Sequence, residues 1–100
     1  MTTPLTLVAT LTAKPEHADE FVAIINGLIE PTLNEEGCID YNLHRSNDNP
    51  NEFVLIEHWR SRQDLDDHFK QPYTAAALER FPTILSGEMR LQFLTHLPAA

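Results

Sequence analysis

The sequence predicts an α+β domain: a four-stranded antiparallel sheet with helices packed on one face. Apolar residues alternate with period two in four short segments and follow a helical period between the first and second and between the third and fourth. The two middle strand segments are separated by a run of turn formers, which pairs them as a hairpin. The length, 100 residues, allows one domain over 1–100 and one hydrophobic core.

The first strand spans 5–12, with Leu5, Leu7, Ala9 and Leu11 on one face and Thr6, Val8, Thr10 and Thr12 on the other. Lys14-Pro15-Glu16 opens a helix, because proline suits a first helical turn and Glu16, Asp19 and Glu20 favour its positive end. Ala18, Phe21, Val22, Ile25, Leu28 and Ile29 form its inward stripe. Pro31 cannot donate to the carbonyl of Gly27, so the helix is expected to kink or end near it, with Asn34-Glu35-Glu36-Gly37 as the exit. Strands follow over 38–45 and 52–60, around Ser46-Asn47-Asp48-Asn49-Pro50-Asn51. Their pairing places Asn42 near Leu55, Asp40 near Glu57 and Cys38 near Trp59. Ser61-x-x-Asp64 reads as a capping-box variant opening a helix that carries Leu65, His68 and Phe69. Gln71-Pro72 breaks that helix, a second runs over 73–81 and stops before Pro82, and a last strand covers 89–97. The order β-α-β-β-α(α)-β is the ferredoxin-like split βαβ plan.

A net charge of −8, from 15 acids against 7 bases, leaves no basic patch to displace counterions from nucleic acid or to hold an anionic membrane. No apolar run reaches the roughly 20 residues that span a bilayer, and Met1-Thr2-Thr3-Pro4 lacks the basic start of a signal peptide. A cytoplasmic protein is the expectation. The lone cysteine, Cys38, excludes an intramolecular disulfide and a cysteine-based zinc cluster. His17, His44, His58, His68 and His96 show no metal-ligand spacing, so no metal is expected. No glycine-rich phosphate loop and no G-x-S-x-G elbow occurs.

In the paired hairpin, Ile39, Tyr41, Leu43, Val54 and Ile56 point one way. Cys38, Asp40, Asn42, His44, Phe53, Leu55, Glu57 and Trp59 point the other. Neither face is cleanly polar, yet helices cover only one. The other would expose a large apolar patch, so a homodimer with sheets packed face to face is expected.

Asp40, Asn42, Glu57 and Trp59 then share a face, and His68 reaches toward it from the helix stripe. A pocket lined by Trp59, Phe53 and Phe69 with a few polar groups suits a small planar ligand. His68 beside Glu57 suits a general base near neutral pH. Each has a plainer reading: His68 as a core histidine satisfied by Glu57, Trp59 as core, and Cys38 as a small buried hydrophobe.

Glu36-Gly37-Cys38-Ile39-Asp40-Tyr41, the run from Phe53 through Glu57 and Trp59 to Ser61, and Asp64-Leu65-x-x-His68-Phe69 together resemble the antibiotic biosynthesis monooxygenase (ABM) family, in particular its small bacterial quinol monooxygenase-like members. The resemblance implies a dimeric α+β barrel. It implies a cofactor-independent monooxygenase that oxidises a small quinol, phenol or anthrone-type aromatic with O₂. By this resemblance Asn42, Trp59 and His68 fall in or near the family's pocket and Glu57 is the glutamate of its E-x-W signature. With the face and pocket reading above, His68 and Glu57 are expected to be catalytic, and Trp59, Asn42, Asp40, Phe53 and Phe69 to bind substrate. The alternatives are a non-enzymatic dimeric ligand-binding or stress-related module, and an isomerase or haem-degrading relative on the same fold. The haem branch uses an asparagine on the first strand, where this chain offers only Thr6, Thr10 and Thr12 as polar residues.

Overall fold

A computed structural model describes residues 3–99; the Met1-Thr2 start and Ala100 lie outside it. β1 (Leu5–Thr12) leads through a 3-10 turn (Pro15–His17) into α1 (Ala18–Leu33). The hairpin β2 (Cys38–Arg45) and β3 (Glu52–Trp59) follows, then α2 (Arg62–Phe69), α3 (Pro72–Ile84) and β4 (Arg90–Leu94). The sheet is antiparallel in the order β2-β3-β1-β4, the ferredoxin-like arrangement. Among the described residues no helix is long and apolar enough to cross a membrane.

α1 ends near Pro31 with Asn34 as its exit, as expected, whereas α3 overruns the stop expected before Pro82. Pro31 lies inside α1 and Pro82 inside α3, each two residues before its helix ends. Proline's φ is helical, and its missing N–H removes a single bond. The chain beyond continues the ladder: the Asn34 N–H donates to Glu30 O and the Leu85 N–H to Phe81 O. The last strand is shorter than its alternation suggests.

The helices cover the face that carries Leu7, Ala9 and Leu11 of β1 with Phe53, Leu55, Glu57 and Trp59 of β3, all buried. Phe21 of α1 is the centre of the main core. Its ring lies 4.9 Å from Phe53 and 5.9 Å from Phe81. Leu7, Trp59 and Leu65 form a second cluster that anchors α2.

β2 corrects the expected hairpin register. Cys38 pairs with Trp59 as expected, but the ladder skips a residue between Cys38 and Asp40. Beyond that bulge Asp40 lies opposite His58, Tyr41 opposite Glu57, Asn42 opposite Ile56 and Leu43 opposite Leu55. Directly opposed residues share a face, so the skip exchanges the two faces of β2. Tyr41 and Leu43 turn to the helices. Asp40, Asn42 and His44 turn to the open face, with Val54 and Ile56.

Gly37 sets how closely α2 approaches the start of β2. A Cβ there would lie 2.2 Å from Asp64 Cβ. Asp64 cannot retreat freely, because its carboxylate takes two bonds from Arg60, at 2.9 Å each, and one from Ser61 at 2.7 Å. The Ser61 hydroxyl in turn caps α2 by accepting from the Asp64 N–H at 3.2 Å. Gly37 and this cap fix the helix that carries His68.

Candidate functional site

A cavity lies between the sheet and the three helices. It encloses ≈ 450 Å³ counting its open mouth, of which ≈ 50 Å³ is room for the centres of water molecules. Leu28, Leu55, Phe69, Ala77, Phe81 and Leu91 give it apolar walls, and Tyr41, Glu57, His68 and Thr74 are its polar members.

His68 is the best-constrained of these. One helical turn after the cap, α2 points Leu65 and His68 inward together, and His68 is 3% exposed. Its ring packs 4.8 Å from Trp59 and 5.9 Å from Tyr41, centroid to centroid. Nδ1 lies 2.7 Å from Glu35 Oε2. The same oxygen accepts from the Tyr73 hydroxyl at 2.5 Å. Glu35, in the loop after α1, therefore ties α2 to α3. An ionised Glu35 requires the proton on Nδ1, which leaves Nε2 as the ring's acceptor. Desolvation and the Glu35 carboxylate push the Tyr73 phenol up, so it remains a donor at neutral pH.

Glu57 is also buried, and its Oε1 accepts from Trp59 Nε1 at 3.0 Å. Burial pushes its carboxyl up to about 7; the Trp59 bond pulls down against this, and the charge of Glu35 adds to the rise. The folded protein thus holds this proton more tightly than the unfolded chain. Stability from protonated Glu57 is complete below about 4.5 and is lost as pH rises through about 7. The full effect is about 3 kcal/mol. Glu57→Gln keeps an acceptor for Trp59 without the titration. Its melting temperature, relative to the native sequence, should therefore rise from pH 5 to pH 8. A difference independent of pH would refute the assignment.

Burial also pushes the Cys38 thiol up, to about 11, so no thiolate nucleophile is offered near neutrality. Among the described residues no group of three His, Cys, Asp or Glu side chains is placed to hold a metal ion.

The sequence-predicted residues separate into three groups. His68, Glu57 and Phe69 line the cavity. Trp59 and Phe53 share the inner face without reaching the cavity wall. Trp59 is wholly buried behind the His68 ring, and Phe53 packs on Phe21 at the far end of β3. Asp40 and Asn42 are on the opposite face, a correction that follows from the β2 bulge. There Asp40 Oδ1 is 2.6 Å from His58 Nδ1, and the Asn42 amide donates to Ile56 O at 3.4 Å. Glu57 is bonded to Trp59, and Glu35 takes the place expected for it beside His68. Sequence reasoning missed Glu35, Tyr41, Tyr73 and Thr74. For Tyr41 a signal existed: its period-two partnership with Leu43 marks an inward face. Glu35 lies 33 residues from His68, and nothing local links them.

The antibiotic biosynthesis monooxygenase family model matches residues 4–80. The chain belongs to this family. Among its relatives, Rv0793 of Mycobacterium tuberculosis is 37% identical over 73 residues, 73% of this chain and 71% of that protein. The solved structure of Rv0793 superposes with a TM-score of 0.91 at 30% identity, covering 98% of this chain and 99% of that one. PA3566 of Pseudomonas aeruginosa gives a TM-score of 0.91 at 32% identity, covering 98% of each chain. The Synechocystis protein sll1783 is 35% identical over 83 residues, 83% of this chain but only 56% of that longer protein. The ABM fold thus extends over nearly all of the described residues.

Proposed function

We propose that this ABM domain is a cofactor-independent monooxygenase that oxidises a small quinol, phenol or anthrone-type aromatic with O₂. The observation that carries the reading is the His68–Glu35 pair, which leaves an imidazole acceptor in an apolar cavity of a family named for monooxygenation.

O₂ is a triplet and reacts slowly with closed-shell organic molecules. A deprotonated, electron-rich ring overcomes this by giving O₂ one electron. His68 Nε2, left without a proton while Glu35 holds the ring proton on Nδ1, takes the substrate proton. The radical and superoxide then combine to a peroxide. Loss of water leaves a carbonyl, so that a CH₂ group and O₂ become C=O and H₂O. Phe69 and Tyr41 hold the ring and exclude water. Glu57, protonated in part near neutrality, donates toward the departing oxygen. A planar ring displaces the water and presses aside Met89 and Leu91, the cavity residues most open to solvent, at 36% each.

The working unit in this reading is a homodimer through the open sheet face. Val8, Val54 and Ile56 stand at the middle of that face, and Leu94, 45% exposed, extends it onto β4. Sedimentation equilibrium at micromolar protein should give twice the 11.4 kDa chain mass; a single-chain mass would remove the dimer.

The reaction is tested by oxygen uptake with a panel of dihydroquinones and anthrones, corrected for autoxidation. Uptake that saturates with substrate and survives chelator is expected. Uptake no greater than the blank across the panel would leave the cavity as a binding site without this chemistry.

A further inference from the structure

Among the described residues, two buried side-chain hydroxyls have no hydrogen-bond partner: Thr32 Oγ1 and Thr74 Oγ1. Thr32 is 0% and Thr74 4% exposed. Leaving a buried hydroxyl unpaired costs folding free energy, so each such group calls for an explanation. The two differ in one respect. Thr32, near the end of α1, is not part of the cavity wall; Thr74, in the first turn of α3, is.

The residues of α1 and α3 that line the cavity are otherwise all apolar: Ile25, Leu28, Ala77, Leu78 and Phe81. The remaining polar members, Tyr41, Glu57 and His68, come from β2, β3 and α2. A ligand lying in the cavity therefore meets polar groups from the hairpin and α2, set among apolar Leu55 and Phe69 of the same elements, and a single polar group from α1 and α3, Thr74. Helical threonine occupies two χ1 rotamers, so the hydroxyl can turn between two directions.

We infer that Thr74 is a ligand-positioning residue whose hydroxyl bonds a second oxygen function of the ligand, a hydroxyl or carbonyl other than the one facing His68. This rests on the cavity being the ligand site, as proposed above. It makes the site selective for rings with two separated oxygen substituents over rings with one. It also explains why an unpaired hydroxyl is kept here: the free protein bears the cost, and the bound ligand supplies the partner.

The test is equilibrium binding by calorimetry under argon, with naphthalene-1,4-diol and 1-naphthol as probes. The protein should bind the diol more tightly than the naphthol. Thr74→Val should reduce that preference about 3- to 10-fold, the worth of one hydrogen bond. Thr74→Ser should keep it. Thr32→Val should leave it unchanged, and both valine variants should melt no lower than the native protein, since each removes an unpaired hydroxyl. The inference is overturned if the native protein shows no preference for the diol, or if Thr74→Val retains the preference. It is also overturned if Thr74→Val melts markedly lower than Thr32→Val, for then the hydroxyl has an internal partner. A Thr74-dependent preference in a protein that consumes no oxygen would strike the oxygenase reading alone. Loss of the preference effect with uptake intact would strike Thr74 alone.

Discussion

Oxygen uptake by His68→Ala should fall at least ~10²-fold, the usual contribution of a positioned general base. The native protein and the variant would be compared at saturating substrate. Glu35→Gln should fall less, because the imidazole remains and only its orientation and tautomer are disturbed. A glutamine in place of Glu35 also removes the charge that favours a proton on Nδ1. Glu35→Gln should therefore lower the turnover of the folded protein at saturating substrate, whereas a purely structural role would reduce the amount of folded protein and leave the turnover of the remainder unchanged. Unchanged turnover in His68→Ala would remove it from the chemistry and leave Glu57, the buried carboxyl of the cavity, as the base.

Trp59→Ala should destabilise the fold by about 3–5 kcal/mol, the range for truncating a large buried aromatic side chain. Trp59 is wholly buried, joins Leu7 and Leu65 in the cluster beneath α2, and backs the His68 ring. Chemical denaturation would read the loss as a lower midpoint at similar slope. Trp59→Phe separates packing from hydrogen bonding. It keeps much of the apolar bulk but removes the indole donor that holds the Glu57 carboxyl down. The pH at which Glu57 gives up its proton should then rise above about 7, and the pH dependence of stability should move with it. A variant as stable as the native chain would show that the indole is not a strut for α2.

Element types were legible because hydrophobic period decides them. β1 and β2 run over the residues their alternation marks, and the Ser61 cap opens α2 where the capping signal stands. Pro82 misled the end of α3, which runs two residues past it, whereas Pro31 marked the end of α1 to within two residues. The site was half legible. His68 and Phe69 followed from helix periodicity, and Glu57 from strand alternation. Asp40 and Asn42 went to the wrong face because one skipped residue inverts all that follow it in a strand. The Glu35–His68–Tyr73 junction joins a loop and two helices, and such a meeting is decided by tertiary packing with no periodic trace in the chain.

The placement of β4 has a kinetic consequence. It is an edge strand of five residues, hydrogen-bonded only to β1, and its Leu91 and Phe93 are 36% and 42% exposed. Leu91, with Met89 just ahead of the strand, also forms part of the cavity wall. Part of the cavity wall is thus a short edge segment, which has fewer hydrogen bonds to lose on local opening than the central strands β1 and β3. β4 contributes no residue to the Phe21 core, the Trp59 cluster or the Glu35 junction. The amides of β4 should therefore exchange with solvent hydrogen sooner than those of β1 and β3, so that this part of the cavity wall opens more often than the molecule unfolds.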